Sequence, residues 1–410
     1  MSSHHNSHSH DHSSAPAPAA SDSTSITGLI GLRNKAFFVG LLGVVACLAG
    51  LMSNSEQFLR SYLIGFIYWL LIAVTCNALL FLHHLVGGQW GVIIRRLLEA
   101  GARTIPFNAL LMIPILLNLP TLYEWARPEH VAHDPILIHK SAWLNPGFFT
   151  GRMIFYFAVW TLMGYLLNKW SREQENGGGE EAKNKLRALS GPGILIHGMT
   201  LTFAAFDLGM SIEPHWPSTM YGVLYIIGGA LATMAFLIIV VRILSDSEPM
   251  AGLLKPKHFH DLGTLLFAFV VLWAYVNFSQ FLIIWSGNLP EETVWYLKRG
   301  TGMWQAVSLV IMTFHFAVPF FLLLMRFNKK NKGILVQIAA FMLVMRLLDL
   351  VWLIAPGFHE VKEAGHHMIH WLDVAAPVAI GGLWVGLFAY LLGQRPVVPV
   401  EVARLTGGHH

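Results

Sequence analysis

The chain has 410 residues, of which 55% are hydrophobic and 12% are charged, about half the charged share of a typical soluble domain. Its mean hydropathy is +0.55. These values exclude a soluble globular enzyme and a disordered chain, and they predict an all-α polytopic membrane protein. The formal charge of +4 comes from basic residues in short segments between apolar runs, so it does not indicate nucleic-acid binding.

Ten apolar segments are long enough to cross a bilayer as helices, which takes about 20 residues each. An outer-membrane barrel is excluded because its strands are roughly ten residues of alternating pattern. The predicted spans are 36–53, 61–82, 105–123, 148–168, 193–212, 219–243, 262–286, 303–327, 334–355 and 373–393.

Basic residues predict the orientation of these spans, because cytoplasmic loops are rich in Lys and Arg. With the N-terminus inside, inner segments carry 19 of the 27 basic residues and outer loops carry 6; Arg152 and Arg346 fall within spans. Both termini are therefore predicted to be cytoplasmic. Residues 1–30 are predicted as a disordered His- and Ser-rich tail, 31–395 as the ten-helix membrane domain and 396–410 as a second cytoplasmic tail. The histidines of the first tail offer at most loose metal binding.

Ionisable residues inside or at the ends of spans point to function, because a charge near the bilayer centre costs about 2.5–3.5 kcal/mol. They suggest a path for protons. The residues that we predict for it are Glu124, His197, Thr200, Asp207, Ser211, Glu213, His315, Arg346, Asp349 and Asp373.

The fifth span carries four of these residues on one helical face. Measured from His197, Thr200, Asp207 and Ser211 lie about 60°, 80° and 40° away on the same side, over about 21 Å of rise. Such a face can order a chain of water molecules, with Asp207 as the principal proton carrier. The alternative is a set of hydrogen bonds between helices, since Ser and Thr commonly serve that purpose in membranes.

The eighth and ninth spans carry the remaining intramembrane charges. Arg346 and Asp349 are three residues apart and share a face, so they are predicted to pair. His315 lies four residues before Pro319, which frees a backbone carbonyl in the same helix. A structural ion pair and a hydrogen-bonded core histidine are the alternatives to a role in proton transfer.

The seventh span is unusually polar for a membrane helix. Tyr275, Asn277, Ser279 and Gln280 suggest a quinone pocket or a water-lined path. Tight packing between helices is the alternative explanation.

No cofactor is predicted within the chain. Its two cysteines, Cys47 and Cys76, are too few for a typical iron–sulfur cluster or structural zinc site. His197 and His315 are predicted at different depths, which argues against a bis-histidine haem. No nucleotide-binding motif is present, and neither a catalytic residue nor a metal ligand is assigned.

Three stretches carry a resemblance to a known family: AYVNFSQFLIIWSGNLPEE (Ala274–Glu292), FDLGMSIEPHWPSTMYG (Phe206–Gly222) and HKSAWLN (His139–Asn145). With them the chain resembles, over about residues 30–395, the smaller of the two large membrane subunits of alternative complex III. That complex is a bacterial quinol:electron-acceptor oxidoreductase. The subunit is related to the membrane anchors of polysulfide reductase and of formate-linked nitrite reductase.

The resemblance implies two four-helix bundles, here spans 3–6 and 7–10, with spans 1 and 2 at the side. It implies a multi-pass protein of the bacterial inner membrane without haem or cluster of its own. The implied partners are a sister quinol-binding membrane subunit, a periplasmic iron–sulfur protein, and multihaem and monohaem cytochromes c. Menaquinol or ubiquinol is the implied substrate of the complex.

Three functions follow as hypotheses. The first is a cofactor-free subunit of a quinol-oxidising complex that contributes a proton path and anchors periplasmic redox subunits. The second is a secondary transporter, although such proteins tend to show helices broken in corresponding halves and none are evident here. The third is a purely structural membrane anchor.

Overall fold

The computed structural model describes residues 27–246, 250–359 and 369–397, and every regular element in these ranges is helical. Most of the two predicted tails, residues 1–26 and 398–410, lies outside the described residues. The helices are α1 Thr27–Ser53, α2 Ser55–Val86, α3 Gln89–Ala102, α4 Ile105–Leu111, α5 Ile113–Leu117, α6 Leu119–Leu122, α7 Pro128–His133, α8 Pro135–Lys140, α9 Pro146–Glu173, α10 Gly179–Leu208, α11 Tyr221–Leu244, α12 Met250–Leu253, α13 Pro256–Gly287, α14 Pro290–Arg299, α15 Gly302–Val310, α16 Val318–Leu324, α17 Arg326–Lys330, α18 Lys332–Ile354 and α19 Leu372–Leu392.

Nine stretches of the described residues are long and apolar enough to cross a membrane, so the chain is an all-α polytopic membrane protein. One stretch, Pro146–Ile212, is 67 residues long and contains both α9 and α10. Between them Asn176 and Gly177 leave the helical conformation, Gly177 with φ 103°. Residues of α9 and α10 contact each other along their length, so the two helices lie side by side. The count of ten spans and their orientation stay predictions.

Polar caps and prolines set where the helices begin and break. Asn54 accepts the backbone N–H of Gln57 and starts α2, and Asn145 accepts that of Phe148 and starts α9. The predicted third span is not one regular helix. Pro106, Pro114 and Pro120 stand at the starts of α4, α5 and α6, because proline is tolerated in the first turn of a helix and not in its interior.

Helices extend beyond two of the predicted spans into segments assigned to a tail and a loop. Helix α1 begins at Thr27, so it includes residues assigned to the first tail and carries Arg33 and Lys35. Arg95, predicted in an inner loop, lies in α3, which contacts α9 at Ser171 and also contacts α19.

The helices form two bundles, which contact each other through α2 and α11. The first bundle consists of α2, α4–α6, α9 and α10, and the second bundle of α11, α13, α15–α16 and α18. The expected division into spans 3–6 and 7–10 is therefore wrong. Helix α2 lies centrally: 89% of its most apolar stretch is buried, because α3, α10, α11 and α19 pack around it.

Helix α19 packs on α1 and α2 instead of joining the second bundle. Its contact with α1 depends on glycine. A Cβ on Gly382 would stand 2.3 Å from Cα of Gly40, and a Cβ on Gly43 would stand 2.6 Å from Cα of Ala379. Close approach of small residues is a common way for membrane helices to associate.

Candidate functional site

Asp207 is the centre of a hydrogen-bonded cluster at the predicted outer end of the first bundle. Its side chain is fully buried. Arg152 donates from Nε to Oδ2 at 2.9 Å and from Nη2 to Oδ1 at 2.8 Å. Tyr156 Oη donates to Oδ2 at 3.1 Å, and Trp143 Nε1 donates to Oδ1 at 3.1 Å. The bidentate geometry is the strongest that an arginine and a carboxylate form.

Arg152 is itself held in one position. Its Nη1 donates to the Trp143 carbonyl at 2.9 Å, and its Cζ stands 4.2 Å from the Trp143 ring centroid and 4.5 Å from that of Phe148. The sequence analysis did not predict that Arg152 faces Asp207. Four donors form hydrogen bonds with the two oxygens of Asp207, so its side chain is held in one position at the end of a polar network.

The four residues of the predicted fifth-span face are all buried. His197, Thr200 and Asp207 lie on α10, whereas Ser211 lies beyond its end in a 3-10 turn, Met210–Ile212. Thr200 Oγ1 accepts Trp160 Nε1 at 2.9 Å, and Ser211 Oγ donates to the Asp207 carbonyl at 2.5 Å. The ring of His197 lies between those of Phe81 and Trp160, with centroid separations of 5.9 and 6.3 Å.

The opposite end of the first bundle, predicted to be the inner one, adjoins a second buried carboxylate, Glu99 on α3. Ser171 Oγ donates to Glu99 Oε1 at 2.5 Å, Arg95 Nε to Oε1 at 3.1 Å and Arg96 Nη1 to Oε2 at 2.7 Å. Arg395 Nη1 approaches Oε2 at 3.5 Å. Three guanidinium groups thus surround one carboxylate.

A water-sized cavity of about 10 Å³ adjoins Glu99. Arg96, Asn168 and Arg395 also line it. Arg96 Nε, Asn168 Oδ1 and Arg395 Nη2 are buried and have no hydrogen-bond partner among the described residues. A cavity of this size with several unsatisfied polar atoms meets the requirements for one ordered water.

Polar residues of α9 lie between the two carboxylates. Asn168 Nδ2 donates to the Glu99 carbonyl at 3.4 Å, and Asn77 Nδ2 on α2 donates to the Trp160 carbonyl at 2.9 Å. Tyr156 stacks on Trp160 at 5.9 Å between centroids. We call this set the polar file; its members are Asn77, Glu99, Tyr156, Trp160, Asn168, Ser171, His197, Thr200 and Asp207.

The polar file runs through much of the bundle. From Tyr156 to Ser171 the helix rises about 22 Å, most of the hydrocarbon thickness. Two buried side-chain oxygens along it, Asn77 Oδ1 and Asn168 Oδ1, have no hydrogen-bond partner among the described residues. Buried polar atoms normally bind protein or ordered water, so these positions call for water molecules.

The sequence contained a signal for the polar residues of α9. Arg152, Tyr156, Trp160, Gly164 and Asn168 recur at every fourth residue, so successive members lie about 40° apart and the set winds about 160° around the helix. The fifth span, and not the fourth, was predicted to carry such a series.

The second bundle contains a separate cluster. Arg346 pairs with Asp349 as predicted, and both are almost fully buried. Trp273 Nε1 donates to Asp349 Oδ2 at 3.1 Å, and the Trp273 ring stacks on His315 with centroids 4.2 Å apart. His315 lies in a π-helical turn, Ile311–Ala317, and such turns are frequent at functional sites. Asp349 Oδ1 and Arg346 Nη2 lack hydrogen-bond partners among the described residues.

Glu213 belongs to neither cluster and lies in a separate ion-pair network at the predicted outer side, which we call the outer network. Arg299 Nη2 donates to Glu213 Oε2 at 3.0 Å, and Lys298 Nζ lies 3.1 Å from Oε1. Arg299 is buried, with Cζ 3.6 Å from the Trp295 ring centroid. Burial alone opposes ionisation of Glu213, but Arg299 and Lys298 outweigh it and hold the pKa of the carboxyl below its ordinary value.

The two remaining acidic residues of the predicted path lie apart from it. Glu124 is exposed in a short 3-10 turn, Glu124–Ala126. Asp373 begins α19 and accepts Ser61 Oγ at 2.6 Å and the His370 backbone N–H at 2.8 Å. The ten residues of the predicted path are therefore not brought together in one place.

The polar residues of the seventh span do not form one pocket. The Tyr275 side chain is 65% exposed, whereas Gln280 is buried. Asn277 and Ser279 donate to backbone carbonyls one turn earlier on α13. Five helical positions separate Tyr275 from Gln280 by about 140°, so they face different surroundings.

Comparisons of the chain with models of known protein families and with curated proteins gave no match. Within the described ranges, no group of three or more His, Cys, Asp or Glu side chains is arranged to hold a metal ion.

Proposed function

We propose that the chain is a cofactor-free membrane subunit of a quinol-oxidising respiratory complex of the bacterial inner membrane, and that its first bundle conducts protons. The observation that carries the proton role is the polar file between Glu99 and Asp207. The redox part of the proposal rests on the resemblance of Ala274–Glu292 and Phe206–Gly222 to a subunit of alternative complex III. Partner subunits with c-type haems and iron–sulfur clusters supply the electron acceptors in this proposal.

The polar file supports proton conduction because its unsatisfied atoms leave places for water between its side chains. Glu99 with its adjoining cavity is the uptake end at the inner side. Water molecules at Asn168 and Asn77 carry protons between the ends, since neither an amide nor an indole N–H relays them readily. Tyr156 is the last hydroxyl before the ion pair of Asp207 with Arg152.

A structural role for the same residues is the second candidate. The four donors on Asp207 favour it, because a saturated ion pair between α9 and α10 stabilises the first bundle whether or not protons move. The two candidates make different predictions for a variant that loses one hydroxyl group of the polar file at nearly constant shape. Proton movement falls if the polar file conducts protons, and it is unchanged if the role is structural.

Purification of the intact chain from its native membrane tests the redox part of the proposal. An affinity-tagged chain is expected to bring with it c-type haem absorbance, iron–sulfur electron paramagnetic resonance signals and quinol-dependent cytochrome reduction. A tagged membrane protein of different function from the same cells is the control. A chain that purifies alone under mild detergent, from membranes that retain quinol oxidation, would eliminate the proposal and favour a transporter.

A further inference from the structure

A second cavity, of about 370 Å³, lies where α2 begins and α18 ends. This volume is within the range of small-molecule sites, about 300–1,000 Å³. It is separate from the polar file and from the cluster of Arg346 and Asp349. The side chains that line it are those of Gln57, Arg60, Ile64, Trp304, Ala355, Phe358, His359, Ile369, His370 and Asp373.

Two hydrogen-bond donors in the cavity wall have no acceptor. Trp304 is buried, and its Nε1 has no partner among the described residues. The same holds for Nε of Arg60, whose guanidinium stands 5.1 Å from the Phe358 ring centroid. Burying such donors unpaired costs about 1–3 kcal/mol each, so an acceptor is expected when the site is occupied.

One acceptor in the wall is strong. The Asp373 carboxylate is 5% exposed and receives hydrogen bonds from Ser61 at 2.6 Å, Gln57 at 3.4 Å and the His370 backbone at 2.8 Å. A carboxylate has about four lone-pair sites, so Asp373 can accept one more donor. Its negative charge disfavours a carboxylate or phosphate ligand in the same cavity.

These groups define the chemistry of an occupant. It must offer an oxygen to Trp304 and Arg60, a hydroxyl to Asp373, and a flat apolar body to the wall formed by Ile64, Phe358 and Ile369. A ring with a hydroxyl group at each end satisfies all three requirements. Since the cavity lies at the end of membrane-spanning helices, a lipid-soluble molecule of this kind can reach it.

We propose that this cavity binds the headgroup of a quinol. The proposal rests on the proposed function only for the choice of quinol among dihydroxylated rings. The proposed pocket therefore lies at the starts of α2, α15 and α19, and not at the seventh-span residues for which a quinone pocket was predicted from the sequence.

Menadiol, a quinol without a tail, is a suitable probe because it partitions less into detergent micelles than a tailed quinol does. The full-length chain in detergent is expected to show a saturable rise in Tm with menadiol concentration. Trp304→Phe removes one donor and keeps an aromatic side chain, and Asp373→Asn removes the charge that receives the hydroxyl. Each is expected to weaken menadiol binding by about tenfold, the value of one hydrogen bond to a buried partner.

Two controls make the result specific. Tyr275→Phe alters the pocket predicted from the sequence and should leave menadiol affinity unchanged. 1,4-Dimethoxynaphthalene keeps the ring and oxygens but cannot donate to Asp373, so it should not stabilise the wild-type chain.

The proposal is overturned if menadiol gives no saturable stabilisation, or if wild type, Trp304→Phe and Asp373→Asn bind it equally. Both measurements use the isolated chain. Failure here therefore leaves co-purification with redox partners standing, and a chain that purifies alone can still be tested for menadiol binding.

Discussion

Removal of one partner from the buried pair of Arg346 and Asp349 should harm the protein more than removal of both charges. Both side chains are 1% exposed, and Trp273 donates to the same carboxylate oxygen that Arg346 contacts. Arg346→Met leaves a buried carboxylate without a counter-charge, which costs about 3–5 kcal/mol. That is roughly two to four orders of magnitude in a folding equilibrium.

The double variant Arg346→Met with Asp349→Asn avoids this cost. The Asn amide oxygen still accepts the Trp273 N–H, so no strong donor loses its partner. Replacing a buried pair by neutral groups is often close to neutral in stability. We therefore expect the double variant to lie within about 1–2 kcal/mol of wild type, well above Arg346→Met alone.

Reversible unfolding in mixed micelles of increasing SDS fraction measures these differences. Arg326→Met, at an exposed basic position outside the pair, is the matched control and should resemble wild type. Equal losses in the single and double variants would show that the charges do not compensate each other, and would refute the pair as the source of stability.

Three further predictions concern the outer network, the topology and helix packing. The pKa of Glu213 is lowered from 4.5, so its contribution to stability is complete above that pH and is lost as the pH falls through the lowered native value. The Tm difference between wild type and Glu213→Gln should therefore shrink in acid. A difference in Tm that does not change with pH contradicts this prediction. An impermeant thiol reagent should label a cysteine at Pro135 in sealed cells and spare one at Gly178, and the reverse pattern overturns the orientation. Gly382→Leu should separate α19 from α1 and lower the yield of folded protein strongly, whereas Gly31→Leu, where a side chain meets open space, should not.

Much of the fold was predictable because membrane insertion imposes a simple length rule. Continuous apolar runs located α2, α11, α13 and α18 to within a few residues. The sequence also predicted the fourth and fifth spans as separate helices, in agreement with α9 and α10. It did not predict that proline breaks the third segment into α4–α6, because that outcome depends on local backbone conformation rather than on hydropathy.

The arrangement of helices was not predictable from the same rule. A span that is apolar on all sides can face lipid or be buried among other helices, and hydropathy does not distinguish the two cases. Helix α2 is buried and α1 is exposed, although both are strongly apolar. The glycines that join α1 to α19 were visible in the sequence, but their partners were not.

For the site, short-range predictions succeeded and long-range ones failed. The pairing of Arg346 with Asp349 follows from their spacing on one helix. The pairing of Arg152 with Asp207 joins two helices and needs the turn at Gly177 to bring them together. Glu99 was not predicted because the sequence of α3 was assigned to an inner loop. The arginines of that segment were used only to predict orientation, and its carboxylate was not considered.

The central claim is that the polar file conducts protons during quinol oxidation. The complex reconstituted in liposomes allows protons moved per electron to be measured with a pH-sensitive dye while quinol oxidation is followed. Thr200→Val and Tyr156→Phe delete one hydroxyl each at nearly constant shape, and Thr264→Val makes the same change at an exposed position on α13. We predict fewer protons per electron in the first two variants, with haem content and the Thr264→Val control unchanged. Wild-type proton stoichiometry and turnover in both would contradict the account and leave the polar file a structural network.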